Sequence, residues 1–466
     1  MFSNKKNYNN VNLNIQKENF NISNDKKINN NINLNIQKEN FNISNDKKNN
    51  SKDSIQSIES HKERKFDTIP FRIDFIKELL NGKKLDTMVN FEVSDTEYFT
   101  NPNGFKDLDD DNQSLDTTFV LDKKIHDFYK VINEIGGKLL YIKSGTTGHT
   151  FKGIIASDAG ININYAVKVV AYPKREKYGD MNDIRRPENA ELMMIRLLSY
   201  FVIKKQTPHI VLPIGTFNTS IKPFVSLIKN NVVDKNNKKY LEFVERYNKG
   251  EYYDQASILI SEWANRGDLL DFIRRNYKEF SLVHWKVIFF QVISALAVIH
   301  SKFPSFRHND LKANNILVHK VTQRNTLFSY TVNHNKYIVP SIGYQIKLWD
   351  FDFACIPGLV ENAKVNAKWT DEINVKPIQN RYYDMHYFFN TLIKKGFFPQ
   401  FLEEDCIPIE AKEFVTRIVP SKYQDGEYVT KRGRVVHNIE YLIPDDILKT
   451  DLFFEEFRKK QLKKKN

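Results

Sequence analysis

The chain has 466 residues, 41% of them hydrophobic, and 70 Lys and Arg against 57 Asp and Glu give a net charge of +13. That length admits one large domain or two to three ordinary ones with a sizeable core, and two cysteines, Cys355 and Cys406, exclude a disulfide framework and point to a reducing compartment. The positive balance suits an acidic partner, but no nucleic-acid recognition motif accompanies it, and part of it lies in the tail 458–466, read as a solvated helix end.

Residues 1–60 are a different material from the rest. NLNIQKENFNISNDKK occurs at Asn12–Lys27 and again, identically, at Asn33–Lys48. An Asn/Lys-rich tract of this kind buries too little apolar surface to offset chain entropy. It is expected to be a disordered, duplicated extension. Residues 61–135 read as a further extension or linker. RIDFIKELLNG (Arg72–Gly82) has helical spacing and a glycine stop. The acidic FKDLDDDNQ (Phe105–Gln113) lacks the closing Glu of a calcium loop and reads as solvated linker.

A globular pattern runs over 136–457. KLLYIK, HTFKGII and NYAVKVVAY read as successive strands, ENAELMMIRLLSYFVI (Glu188–Ile203) as a helix, and HIVLPIGTF and ASILISEW as strands again. From Asp268 helices dominate, first DLLDFIRRN and then a long helix through His300. The longest apolar run, Val287–Ile299, is too short to span a bilayer and carries Gln291 and Ser294, so it reads as a core helix. The N-terminus has no apolar signal-peptide region. A soluble, intracellular protein is expected. Strands first and helices later imply two unlike lobes.

Two stretches carry chemistry. HNDLKANNILV (His308–Val318) sets Asp310, Lys312 and Asn315 just before an apolar run, and LWDFDFA (Leu348–Ala354) sets Asp350 just after one. Moving a phosphoryl group from ATP to a hydroxyl needs a backbone cradle and a cation for the triphosphate, hard oxygens for magnesium, and a carboxylate to orient the hydroxyl. Asp310 suits the hydroxyl, Lys312 can balance phosphate charge, and Asn315 and Asp350 offer magnesium a neutral and a charged oxygen. Upstream, KSGTTGHT (Lys143–Thr150) is a polar turn whose Gly145 and Gly148 let backbone approach phosphate. Lys168, central in the apolar strand YAVKVV, is costly to bury without an anion. Glu191 on the next helix is its natural partner, and Glu188, one turn away, is the rival.

With these motifs in this order, the chain resembles the eukaryotic-type protein kinase superfamily from roughly Leu139 to Phe457. HNDLKANN resembles the catalytic loop, and DFD at Asp350–Asp352 stands where the family has DFG. ISEWANRGDL resembles the hinge, with Ser261 at the gatekeeper position, and YYDMHYFFNTL resembles the buried helix whose aspartate, Asp384, anchors the catalytic loop. The DLK form is similar to serine/threonine kinases. HNDLK with DFD and an Asn-rich leader looks most like protein kinases of large DNA viruses, the poxvirus group and giant-virus relatives.

The resemblance implies an α+β, bilobal fold with a small β-rich N-lobe and a larger helical C-lobe. It implies ATP and Mg2+ as cofactors, a protein substrate with Ser/Thr hydroxyls, and the host cytoplasm or a virion as location. The implied catalytic residues are Asp310 and Lys312, and the implied metal ligands are Asn315 and Asp350. The implied ATP contacts are Ile142, Lys143, Ser144, Gly145, Thr146, Thr147, Gly148, His149, Thr150, Lys168 and Glu191, with the hinge backbones of Glu262 and Ala264. His308 is implied to be a structural hub and not a base.

The departures carry expectations of their own. Lys143 replaces the first loop glycine. Asn309 replaces the arginine with which the family senses a phosphorylated activation segment. Asp352 replaces a glycine and is expected to bias the segment toward one state. Without an APE tripeptide, Glu372 is set against Arg432 or Arg434 as partners. The long connection from His319 to Gly343 is expected to be an inserted hairpin. Competing readings are a choline- or aminoglycoside-type small-molecule kinase, which shares HNDL-like stretches, and an ATP-binding pseudokinase scaffold.

Overall fold

The computed structural model describes residues 36–38, 68–89, 91, 123–156 and 162–459. Strand β1 (Ile36–Lys38) belongs to the second repeat copy and pairs in parallel with Leu139–Tyr141. These three residues thus depart from the expected disorder by covering an otherwise open sheet edge; the remaining repeat residues lie outside the described ones.

Helix α1 (Ile69–Leu80) begins with Pro70 in its first turn and buries Phe75, Ile76 and Leu79. A short helix α2 (Phe128–Ile135) is capped by Asp127, whose side chain accepts from the Lys130 amide. Then come β2 (Lys138–Ser144), β3 (Gly148–Ala156) and β4 (Asn162–Pro173), helix α3 (Pro187–Ile203), β5 (Pro213–Ser220), helix α4 (Lys238–Asn248) and β6 (Tyr252–Glu262). The sheet order is β1-β2-β3-β4-β6-β5. The outer strand β5 is not left open. Met88 N–H donates to Ile214 O at 3.0 Å, and Asn218 N–H donates to Lys124 O at 2.9 Å. The extension is therefore built into the small lobe and guards its edge.

The large lobe is helical: α5 (Leu269–Asn276), α6 (Leu282–Lys302), α7 (Tyr383–Ile393), α8 (Ile409–Ile418), α9 (Pro444–Thr450) and α10 (Glu455–Lys459). Among the described residues α6 has the length and apolarity to cross a membrane. It is nevertheless a core helix, buried from Val287 to His300. The division into a strand-rich and a helical lobe is the α+β bilobal architecture read from the sequence.

Between the lobes' motifs lies a long hairpin, β7 (Ile316–Val332) and β8 (Asn335–Leu348), paired from Ile316↔Leu348 to Val332↔Asn335. Its turn residues Asn333 and His334 have φ of 46° and 70°, the left-handed pair that matches strand twist in tight hairpins. Tyr330 and Tyr337 of the hairpin pack on Phe290 of α6 at 5.2 and 5.3 Å between ring centroids. The inserted hairpin expected from the alternation is present and is longer than the segment that signalled it.

Candidate active site

Lys168 lies in β4 between buried Val167 and Val169. Its ammonium needs counter-charge there, and it has two carboxylates: Glu191 Oε1 at 2.6 Å and Asp350 Oδ1 at 3.0 Å. Glu188, the rival partner, pairs instead with Arg186 Nε at 3.1 Å. Burial opposes ionisation of Asp350, but Lys168 outweighs it and holds the carboxyl well below its usual range. Burial, against the pull of Lys168, moves Glu191 upward, and the negative charges of Asp350 and Asp352 add to that. Burial also opposes the charge on Lys168, yet Asp350 and Glu191 together raise its pKa.

The loop from His308 is suspended from α7. The amides of His308 and Asn309 donate to the Asp384 carboxylate at 2.7 and 2.9 Å. His308 Nε2 lies 3.0 Å from Trp349 O. His308 thus ties the loop to the residue before Asp350 and has a framework role. Asn309 and Asp350 both have φ of 62°, a region that Asn and Asp tolerate better than most side chains. Asp310 Oδ2 accepts from Lys312 Nζ at 2.7 Å and from Asn315 Nδ2 at 2.9 Å. Asn315 O in turn accepts the Trp349 amide at 3.2 Å. The two stretches singled out in the sequence therefore meet at the base of the β7–β8 hairpin.

Because Asn315 commits its amide nitrogen to Asp310, its oxygen is the group left for a cation. Among the described residues no three His, Cys, Asp or Glu side chains converge into a metal cage. One carboxylate and one amide oxygen fit magnesium, which keeps water and substrate phosphate in its remaining positions.

The Gly145–Gly148 turn closes with a Gly145 N–H to Gly148 O bond of 2.8 Å. A Cβ on Gly148 would sit 1.8 Å from Val169 O, so only glycine fits. Thr146 O accepts from Tyr252 Oη at 3.1 Å and Arg246 Nη1 at 3.3 Å, and Thr147 O accepts the Ala171 amide at 2.8 Å. Ile142 and Thr150 are half-buried and Lys143 is exposed. Thr150 pairs across the sheet with Lys168 and shares its face. His149 therefore points to the other face. There its Nδ1 lies 2.9 Å from Ser144 Oγ and its ring 4.4 Å from Phe243. This corrects the expectation of a nucleotide contact: burial drives the His149 pKa down to about 3, and the neutral ring belongs to the core.

The hinge differs from expectation in what its side chain does. Arg72 of α1 meets Glu262 with Nε–Oε1 at 2.6 Å and Nη2–Oε2 at 2.8 Å. Lys347 reaches Glu262 Oε2 at 3.3 Å, and the Leu212 amide donates to the same oxygen at 2.8 Å. Burial opposes ionisation, but Arg72 and Lys347 hold the Glu262 pKa at about 2. The Glu262 N–H is engaged by Leu212 O at 3.1 Å. Ala264 is buried just beyond it.

Sequence reasoning missed two further features. The segment 221–251, inserted between β5 and β6, carries α4 and Arg246 above the Gly-rich turn. Arg434 contacts Asp310 Oδ1 and so is not a partner of Glu372, which is exposed. Neither residue bears a local motif; a buried arginine is visible only once the fold assembles its surroundings. Asp352 pairs with Lys364, whose Nζ lies 3.9 Å from the Phe353 ring centroid. Cys355 is buried, and burial pushes its thiol up to about 12, which disfavours the reactive thiolate.

Comparison with known proteins bears on the same segment. The family model described as poxvirus serine/threonine protein kinase matches residues 161–456. A protein of Acanthamoeba polyphaga mimivirus, named provisionally as serine/threonine-protein kinase R400, is 46% identical over 397 residues, 84% of this chain and 80% of its own. Serine/threonine-protein kinase 2 of fowlpox virus (strain NVSL) is 28% identical over 206 residues, 43% of each chain. The motif order, the two-lobed fold and these matches agree: the chain belongs to the poxvirus serine/threonine protein kinase family.

Proposed function

We propose that the protein is an ATP- and magnesium-dependent kinase acting on serine and threonine hydroxyls of other proteins. The observation that carries this reading is the reach of Lys168 to both Glu191 and Asp350, with Asn315 linking the Asp350 strand to Asp310. Lys168 neutralises phosphate oxygens, and the Gly145–Gly148 turn covers them with backbone amides. Asn315 and Asp350 hold magnesium, which when bound disperses the charge of the transferring phosphoryl group. Asp310 accepts a hydrogen bond from the substrate hydroxyl, orients it and takes its proton. Lys312, beside that carboxylate, balances the charge that develops.

The test uses purified full chain, radiolabelled ATP, magnesium and generic protein substrates, with wild type beside Asp310→Asn. Label is expected on phosphoserine and phosphothreonine. Asp310→Asn is expected to slow transfer by about 100- to 10,000-fold while ATP affinity is retained. ATP binding without transfer means a pseudokinase scaffold. Transfer only to choline or an aminoglycoside means a small-molecule kinase. Equal turnover by the variant removes Asp310 from the mechanism.

A further inference from the structure

Asp310 has a ligand that none of the family's sequence motifs in this chain provides. The guanidinium of Arg434 contacts Asp310 Oδ1, while its Nε lies 3.4 Å from Asn309 O. Arg434 is buried and lies 4.3 Å above the Tyr387 ring of α7. Lys312 and Asn315 hold the other carboxylate oxygen. The Asp310 carboxylate is thus gripped on both oxygens before any substrate arrives.

The turn that carries Arg434 is itself held from two directions. Thr430 N–H donates to Arg434 O at 2.8 Å, and the Arg434 amide donates to Thr430 Oγ1 at 3.1 Å. Gly433 between them has φ of 90°, and its carbonyl accepts from Asn390 of α7 at 2.9 Å. On the other side Asn374 Nδ2 donates to Val435 O at 2.7 Å. The Asn374 carbonyl in turn accepts from Arg307 Nη2 at 2.8 Å, just before the catalytic loop. The segment after Asp350, the Arg434 turn and the catalytic loop are therefore closed into one ring of bonds.

None of those bonds uses a phosphate. Between Phe351 and Arg381 the sequence has a single hydroxyl-bearing residue, Thr370. It is fully buried, and its Oγ1 donates to Val365 O at 2.9 Å. Position 309, where the family has its phosphate-sensing arginine, is an asparagine whose Nδ2 donates to Phe353 O at 3.0 Å.

Resting on the kinase reading above, we propose that Arg434 is a positioning residue for phosphoryl transfer, and that it fixes the Asp310 carboxylate by folding alone, with no phosphorylation of residues 353–381. A planar guanidinium fixes both the place and the tilt of a carboxylate, which a lysine ammonium does only in part. Small misplacement of a catalytic group is expensive in rate.

The experiment measures kcat, KM for ATP and ATP affinity for the full chain, for Arg434→Gln and for Arg434→Lys. Wild type is assayed before and after phosphatase treatment, with its intact mass recorded. Arg434→Gln is expected to lower kcat by about 100-fold and Arg434→Lys by about tenfold, with ATP affinity within about twofold in both. Phosphatase treatment is expected to leave the wild-type rate unchanged. If Arg434→Gln does not fold, Arg434→Lys decides: reduced kcat at preserved ATP affinity supports the proposal, and wild-type kcat overturns it. Loss of kcat and ATP affinity in parallel also overturns it, because that reports a general structural role. A wild-type enzyme inactivated by phosphatase, with phosphate mapped to 353–381, overturns the phosphate-independent part. Wild type that binds ATP but never transfers overturns the kinase reading itself, and this inference with it.

Discussion

Arg72 and Glu262 lie 190 positions apart in the chain and meet as a two-pronged ion pair, with nitrogen–oxygen distances of 2.6 and 2.8 Å, behind the hinge. Arg72 also donates to Pro208 O at 2.8 Å and Ile210 O at 2.6 Å. Its removal would leave a buried carboxylate with Lys347 as its remaining cation and the Leu212 amide as a neutral donor. Arg72→Ala is therefore expected to cost about 3–5 kcal/mol, read as a fall in Tm in thermal unfolding. A Tm within a degree of wild type would mean that the extension is an ornament and not part of the small lobe.

The Gly145–Gly148 turn makes a second prediction. Tyr252 and Arg246 both donate to Thr146 O, so the turn is tethered by the inserted segment and by the first residue of β6. The double variant Arg246→Ala, Tyr252→Phe is expected to raise KM for ATP by about 30-fold, the value of two hydrogen bonds near 1 kcal/mol each. Thermal stability should fall less. Steady-state kinetics at varied ATP check this, and an unchanged KM would show that the tether is idle.

Asp352 supplies a third. Its carboxylate holds Lys364, and its carbonyl accepts from Asn362 Nδ2 at 3.0 Å. Asp352→Gly removes the ion pair and frees the backbone. Basal turnover is expected to fall about three- to tenfold as other segment conformations become populated. Compounds that bind with Phe351 displaced should gain affinity. Identical activity and identical inhibitor preference would exclude any biasing role.

The fourth concerns pH. Burial lowers His149 and His209 to about 3 and His300 and His386 to about 4. The unfolded chain binds these protons near pH 6.5 and the folded chain does not, so stability is lost as pH falls below 6.5. Between pH 7 and 5.5 the loss is about 1 kcal/mol per histidine. His209 lies 3.0 Å from Ile346 O and 3.2 Å from Tyr330 Oη, so His209→Gln should flatten the slope by one proton. Tm measured across that range decides, and a flat or rising Tm on acidification would contradict it.

The sequence was readable where periodicity and motif coincide. Lys168 in its apolar strand, the α3 helix and the alternation of the β7–β8 insert are all local signals. The choice of Glu191 over Glu188 was open in the sequence. It was closed by Arg186, which claims Glu188. His149 misled because a residue inside a phosphate-loop pattern still obeys strand alternation, and its face was set by α4, an insert without a signature of its own. Arg72 was illegible for a related reason, and Arg434, set against Glu372 in the sequence, meets Asp310 instead. A lone arginine in a helix or turn looks solvated until a partner more than a hundred residues away is folded against it.

Phe290 has one further consequence. Its ring touches Tyr330 and Tyr337 of the hairpin on one side and Phe454 and Phe457 of the last two turns on the other. The ribbon that ends in Asn315 and Asp350 is therefore moored to α10 through one aromatic junction. Slack introduced at that junction would reach Asn315 and Asp350 along the ribbon, through a stretch where its pairing shifts register between Lys320 and Leu327.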